Sequence, residues 1–153
     1  MEIDLLSKYP KTKRNLDERK LEKSDEIRKI ARDFGKEFFD GDRKYGYGGF
    51  KYNPKYWSDV VISFKDFWNI KEYDSLLDVG CAKGFMLYDF FRIINGIKLT
   101  GIDISDYAIK NAHPEIRNLL SVCNAKSLPF KDKSFDHVIS INTVHNLDLE
   151  ECI

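Results

Sequence analysis

Charge of one sign is the first thing this chain lacks. Its 25 Lys and Arg are matched by 25 Asp and Glu. Nucleic acids and acidic membranes are recognised through surplus positive charge, so the balance argues against both as partners. Long apolar runs are missing too. A bilayer crossing takes roughly 20 consecutive apolar residues, and no stretch approaches that; the polar N-terminus carries no signal-peptide pattern. Cysteine is sparse. Cys81, Cys123 and Cys152 are odd in number and far apart, with no C-x-x-C pair. That excludes a disulfide framework and a cysteine-based zinc site. We expect reduced thiols, a cytoplasmic setting and no metal. Internal repeats and low-complexity stretches are also absent.

What is present suffices for one ordinary domain: 153 residues, 42% hydrophobic and 14% aromatic. Residues 11–23 mix charges of both signs and read as a solvated helical arm. From Ser24, Ile27, Ile30, Ala31, Phe34 and Phe38 recur at helical spacing and predict one helix, capped by Ser24 and stopped near Gly41. DRKYGYGGFKY (42–52) sets three glycines among aromatic residues and reads as a mobile loop able to lay large side chains on a ligand. Asn53-Pro54 opens another helix, with Tyr56, Trp57, Val60, Val61, Phe64 and Phe67 or Trp68 inward. Residues 1–72 are therefore expected to form an N-terminal helical segment.

At residue 75 the rhythm changes. Strands are predicted over 75–79, 98–104, 119–123 and within 134–141. Helices are predicted over 84–95 and from Ser105 to about Asn111, with one more beginning at Leu147. Strand–helix alternation with apolar strands means a parallel sheet with helices on both faces, in the order 3-2-1-4.

A ligand in such a sheet sits at the carboxyl ends of the strands, so the residues just past each strand carry the chemistry. In LLDVGCAKGF, Gly80 lets backbone pass close to a ligand and Gly84 allows a helix to pack tightly on a strand. The helix start that follows suits a carboxylate or phosphate. Asp103, 23 residues after Gly80 in GIDIS, is placed to accept hydrogen bonds from two ribose hydroxyls. A helix cap is the plainer role for it, but Ser105 fills that better. The glycine spacing is Gly80-x-x-x-Gly84, not G-x-G-x-x-G, and Asp78 at the turn repels a pyrophosphate while attracting an ammonium. Ribose, ammonium and carboxylate together describe S-adenosylmethionine.

LLDVGCAKGF, GIDIS, CNAKSLPFKDKSFDHVIS and NTVHNL resemble, in order and spacing, the successive motifs of class I S-adenosylmethionine-dependent methyltransferases over residues 75–149. The resemblance implies a Rossmann-like fold, S-adenosylmethionine as cofactor and S-adenosylhomocysteine as product. It implies that Asp78 and the backbone of Gly80, Cys81 and Ala82 hold the methionine portion, with Gly84 shaping the turn. Asp103 would hold the ribose, Ile104 pack on the adenine, Asn124 and Ala125 meet the adenine edge, and the Asn142 region close the other side. Two departures stand out. Ala82 replaces the family's middle glycine, which is tolerable if its φ stays negative; Asn124 replaces the usual aspartate and would accept from the adenine amino group. His145 is the expected general base. His113 and His137 read as positions without a role, and Lys83 as a surface residue at a helix start. By analogy with the family's N-terminal segments, Arg43 would pair with the cofactor carboxylate and Tyr45 and Tyr47 would cover the sulfonium; a loop packed on itself is the alternative.

The family sheet has seven strands and this chain supplies four, so residues 73–153 read as the N-terminal half of the domain. We expect either a fragment of a longer protein or a sheet completed by another chain. The bare fourth strand would be a site of self-association. A small-molecule acceptor is the leading expectation, with YPKTKRN and GYGGFKY similar to enzymes of capsule or sugar pathways. A non-catalytic cofactor-binding or partner module and an NAD-dependent enzyme remain as alternatives.

Overall fold

The computed structural model describes residues 3–11 and 24–148. The expected charged arm over 11–23 falls almost wholly outside the described residues, and the helix expected from Leu147 onward runs out of them.

The described chain reads α1 (Asp25–Arg32), α2 (Lys36–Asp40), α3 (Pro54–Trp68), β1 (Ser75–Val79), α4 (Phe85–Ile93), β2 (Lys98–Asp103), α5 (Asp106–Lys110), β3 (Leu120–Val122) and β4 (His137–Ile139). Short 3-10 turns lie at Arg117–Leu119 and Val144–Asn146. All pairings are parallel, in the order β3-β2-β1-β4, as the alternation predicts. Leu77 faces Thr100 on one side and Val138 on the other.

Caps explain where the first helices begin. The Ser24 hydroxyl accepts the Ile27 N–H, and Asn53 accepts the Lys55 N–H ahead of Pro54. The single helix expected from Ser24 is in fact two, α1 and α2. Phe34 leaves the helical region at φ 46 and Gly35 is extended. The freed Phe34 carbonyl accepts the Ser105 hydroxyl, a tertiary contact that competes with the helix.

One face of the sheet carries the main core. Val60, Val61 and Phe64 of α3 pack with Met86, Leu87 and Phe90 of α4 and with Leu76 and Leu99 of the strands. The other face holds Leu77, Val79 and Ile102 beneath Cys123, Ala125, Phe130 and Phe135. The expected helices on this second face are replaced, among the described residues, by the 123–136 connection. The reason is handedness. The β1–α4–β2 and β2–α5–β3 crossovers step the same way along the sheet, so right-handed connections put both helices on one face; the return from β3 to β4 must cross the other. One smaller expectation also shifts: of Phe67 or Trp68, expected inward, neither is buried, at 50% and 38% exposed.

Ser75 and Asp136 align β1 with β4. The Asp136 carboxylate accepts the Ser75 N–H (2.8 Å) and hydroxyl (2.6 Å). His137, expected to have no role, meets Asp74 at 3.0 Å beside it.

Candidate functional site

The carboxyl ends of β1, β2, β3 and β4 open on one cleft of about 490 Å³, within the range of small-molecule sites. Its floor is the turn after β1. Gly80 has φ +87, and a Cβ there would stand 1.8 Å from the Thr143 hydroxyl. The turn thus needs both the conformation and the space of glycine. The Gly80 and Cys81 N–H groups both donate to the Ile102 carbonyl, at 2.8 and 2.9 Å.

Ala82 corrects the sequence expectation. Its φ is +51, the left-handed region, and not the negative value that makes alanine comfortable. The conformation is held by Asp103. One carboxylate oxygen accepts the Ala82 N–H at 2.7 Å and the other accepts the Ser105 N–H at 2.8 Å. Asp103 therefore locks the two turns together and still presents further lone pairs at the cleft wall it lines. Ser105 is the α5 cap, accepting the Ala108 N–H at 3.0 Å.

Asp78 lies under the floor. It is 3% exposed, does not line the cleft, and has no hydrogen-bond partner among the described residues. Burial, with the nearby Asp103 charge, pushes its carboxyl up to about 7. Burial also raises Asp103, against the two N–H donors that lower it, and raises the Cys81 thiol. Among the described residues no cation pairs with Asp78 or Asp103, so the floor suits a positively charged ligand.

The remaining expected residues divide. Gly80, Ala82, Asp103, Ile104, Asn124, Ala125, Asn142, His145, Arg43 and Tyr47 line the cleft. Cys81 and Gly84 lie behind the turn, and Tyr45 lies outside the lining, its ring under the Lys44 ammonium at 4.9 Å. Ile104 is 54% exposed, an apolar side chain left bare at the wall. The Asn124 carbonyl oxygen accepts the Lys126 N–H at 3.0 Å, leaving its NH₂ group as donor where an acceptor was expected. Arg43 donates to the Gly46 and Tyr47 carbonyls at 3.1 and 2.6 Å, so one guanidinium nitrogen is spent on shaping its own loop. His145 is exposed in the 3-10 turn with no hydrogen-bond partner among the described residues.

Several lining residues were not anticipated. Phe34, Phe38 and Phe39 form an aromatic wall with Tyr47; Phe34 and Phe38 meet edge to face at 5.2 Å and Phe39 stacks on Tyr47 at 5.8 Å. Their helical spacing reads as core, and only Gly35 in the middle of the pattern hints at the break. The loop read as mobile is tied back to α2 by Tyr47 N–H to Phe38 O and Gly49 N–H to Phe39 O. Lys83 is the clearest correction. It is not at the surface but 5% exposed, paired with Asp40. No local pattern announces a partner 43 residues away.

Comparison with known proteins agrees with this fold. The uncharacterized protein MJ1252 of Methanocaldococcus jannaschii is 42% identical over 71 residues, 46% of this chain and 26% of that protein. A proposed S-adenosyl-L-methionine-dependent methyltransferase of Methanococcus maripaludis superposes with a TM-score of 0.53 at 13% identity, over 60% of this chain and 44% of that one. YcgJ of Bacillus subtilis superposes at 0.51 and 19% identity, over 60% and 41%. At these identities the two structures speak for the fold. The chain spans about a quarter of MJ1252 and under half of the two structures. Residues 77–153 match the methyltransferase domain family, and with the sheet order and the site at its carboxyl edge the chain belongs to that family of S-adenosylmethionine-dependent enzymes.

Proposed function

We propose that this chain binds S-adenosylmethionine in the cleft and serves methyl transfer to a small-molecule acceptor. The observation that carries the reading is Asp78, a buried and unpartnered carboxylate beneath the Gly80–Ala82 turn with Asp103 beside it. A pair of desolvated carboxylates favours an ammonium or sulfonium and opposes a pyrophosphate, which also sets NAD aside.

When bound, S-adenosylmethionine supplies a methyl carbon already activated by its sulfonium, so the chain has mainly to orient and desolvate. Asp103 would accept the ribose hydroxyls. Ile104 would lie on the adenine face, with Asn124 and Ala125 at its edge. Arg43 has guanidinium N–H groups beyond those given to its loop for a carboxylate. Tyr47, with Phe34 and Phe38, offers the aromatic faces a sulfonium prefers; Tyr45 drops out of that role. His145 stands at the rim, where it would take a proton from an acceptor hydroxyl or amine. The aromatic wall suits a small organic acceptor, carbohydrate faces included. A second reading, cofactor binding without transfer, is favoured by His145, the expected base, standing exposed with no hydrogen-bond partner among the described residues.

Calorimetry of the purified chain with S-adenosylmethionine, S-adenosylhomocysteine and NAD tests the proposal. The two adenosyl ligands should bind and NAD should not. Absence of binding by both, from a chain that still unfolds cooperatively, would overturn it. A methyl-transfer assay of this chain with small hydroxyl and amine acceptors separates the two readings: turnover supports transfer, and binding without turnover supports the second.

A further inference from the structure

Lys83 lies in the β1–α4 turn, two residues after Cys81, yet its side chain leaves the cleft. Its ammonium donates to both Asp40 oxygens, at 2.8 and 2.6 Å, and to the Phe50 carbonyl at 2.9 Å. All three donors are used. Asp40, the last residue of α2, also accepts the Tyr107 hydroxyl from α5 at 2.7 Å and the Phe50 N–H at 3.0 Å. One carboxylate thus joins the turn after β1, the helix after β2 and both ends of the 40–50 loop. A third fastening, Ser105 to the Phe34 carbonyl, lies on the β2–α5 turn itself.

The segment so fastened is the one that builds the aromatic wall. Phe34, Phe38, Phe39, Arg43 and Tyr47 enter the cleft from residues 34–50, and the two turns beneath them hold Ala82 and Asp103. The Lys83 side chain is buried and Asp40 a quarter exposed, so desolvation offsets part of the attraction, and the geometry of the pair fixes one arrangement over others. Here the arrangement fixed is the wall over the floor.

We propose that Lys83 and Asp40 are a positioning pair, a buckle that holds the 34–50 strap in register over the ligand cleft so that the aromatic wall closes on whatever the acidic floor binds. The pair touches no ligand itself; it acts through the strap. The inference rests on the cofactor reading for the identity of the ligand, but not for the mechanical linkage.

The test is Lys83→Met, Asp40→Asn and the double variant in the full chain, read by amide hydrogen exchange and by calorimetry with S-adenosylhomocysteine. The double variant removes both charges, so no buried charge is left unpaired. Expected is exchange at least tenfold faster for amides of residues 38–50, with β1 and β2 amides unchanged, and a Kd for S-adenosylhomocysteine raised at least tenfold. The double variant should cost no more than either single one, since each breaks the same contact. Exchange that speeds equally in strap and sheet, or a double variant that binds as tightly as the unaltered chain, overturns the buckle. A chain that binds no S-adenosylhomocysteine before any substitution sinks the cofactor reading instead, and the exchange comparison still decides the linkage.

Discussion

Ala82 is an alanine where the backbone asks for glycine. At φ +51 its Cβ costs about 1 kcal/mol, repaid in part by the Asp103 hydrogen bond to its N–H. Ala82→Gly should therefore raise stability by roughly 0.5–1 kcal/mol, less what glycine loses in unfolded-chain entropy, measured as the urea midpoint. Asp78 makes the opposite kind of statement. Its carboxyl is raised from 3.8 to about 7, so its contribution to stability is full below pH 4 and is lost as pH rises through 7. The loss approaches about 4 kcal/mol, because each tenfold change in proton affinity is worth about 1.4 kcal/mol. Without ligand, Asp78→Asn should raise the melting temperature at pH 8 and leave it nearly unchanged at pH 4. The same substitution should weaken S-adenosylmethionine binding, and in the unaltered chain that binding should strengthen from pH 6 to pH 8 as the carboxylate ionises. Affinity independent of pH across that window would remove Asp78 from the proposed site. These residues are legible in sequence as types: an aspartate before a glycine turn, an aspartate after the next strand. The φ of Ala82 is not, because nothing local distinguishes an alanine held left-handed by a distant carboxylate from one that is not.

Between elements, the start of α4 leaves no room for a side chain at Gly84. A Cβ on Gly84 would come within 2.6 Å of Ile116 Cδ1 and 2.7 Å of Leu120 Cδ1, at φ +72. Gly84→Ala should cost roughly 2–3 kcal/mol in denaturant unfolding, strain and crowding together. On the outer side of α4, fully buried Asp89 accepts the Tyr52 hydroxyl at 2.7 Å and the Ser58 hydroxyl at 3.1 Å, which fastens the start of α3 to α4. Asp89→Leu should cost about 3 kcal/mol by stranding both hydroxyls, while Asp89→Asn, which keeps the acceptor oxygen, should cost about 1 kcal/mol or less. A loss for Asp89→Asn equal to that for Asp89→Leu would show that charge, not acceptance, matters there. At this scale the strands and α3–α5 follow from period and punctuation. The division of α1 from α2 does not, since the Phe34 carbonyl is drawn out of the helix by Ser105, 71 residues on.

The molecule as a whole ends, among its described residues, on two exposed strand edges. β3 bears Val122 and β4 bears Val138, 51% and 59% exposed. Apolar strand edges template further pairing, so this chain should self-associate at high concentration. Val138→Lys should shift it toward monomer in sedimentation velocity without altering S-adenosylhomocysteine binding. Concentration-independent monomer in the unaltered chain would refute the edge as an interface.

The sequence by itself determined the sheet order, the helices that follow the strands, and the four strand ends that open on the cleft. It could do so because apolar period, glycine turns and caps are local signals, and right-handed crossovers turn them into topology. Only the tertiary structure decided that Ala82 sits left-handed, that Lys83 is buried against Asp40, and that α1 breaks from α2 at Phe34. Those outcomes depend on partners 21, 43 and 71 residues away in the chain. At such separations only packing, with the desolvation it imposes, selects one pairing over another.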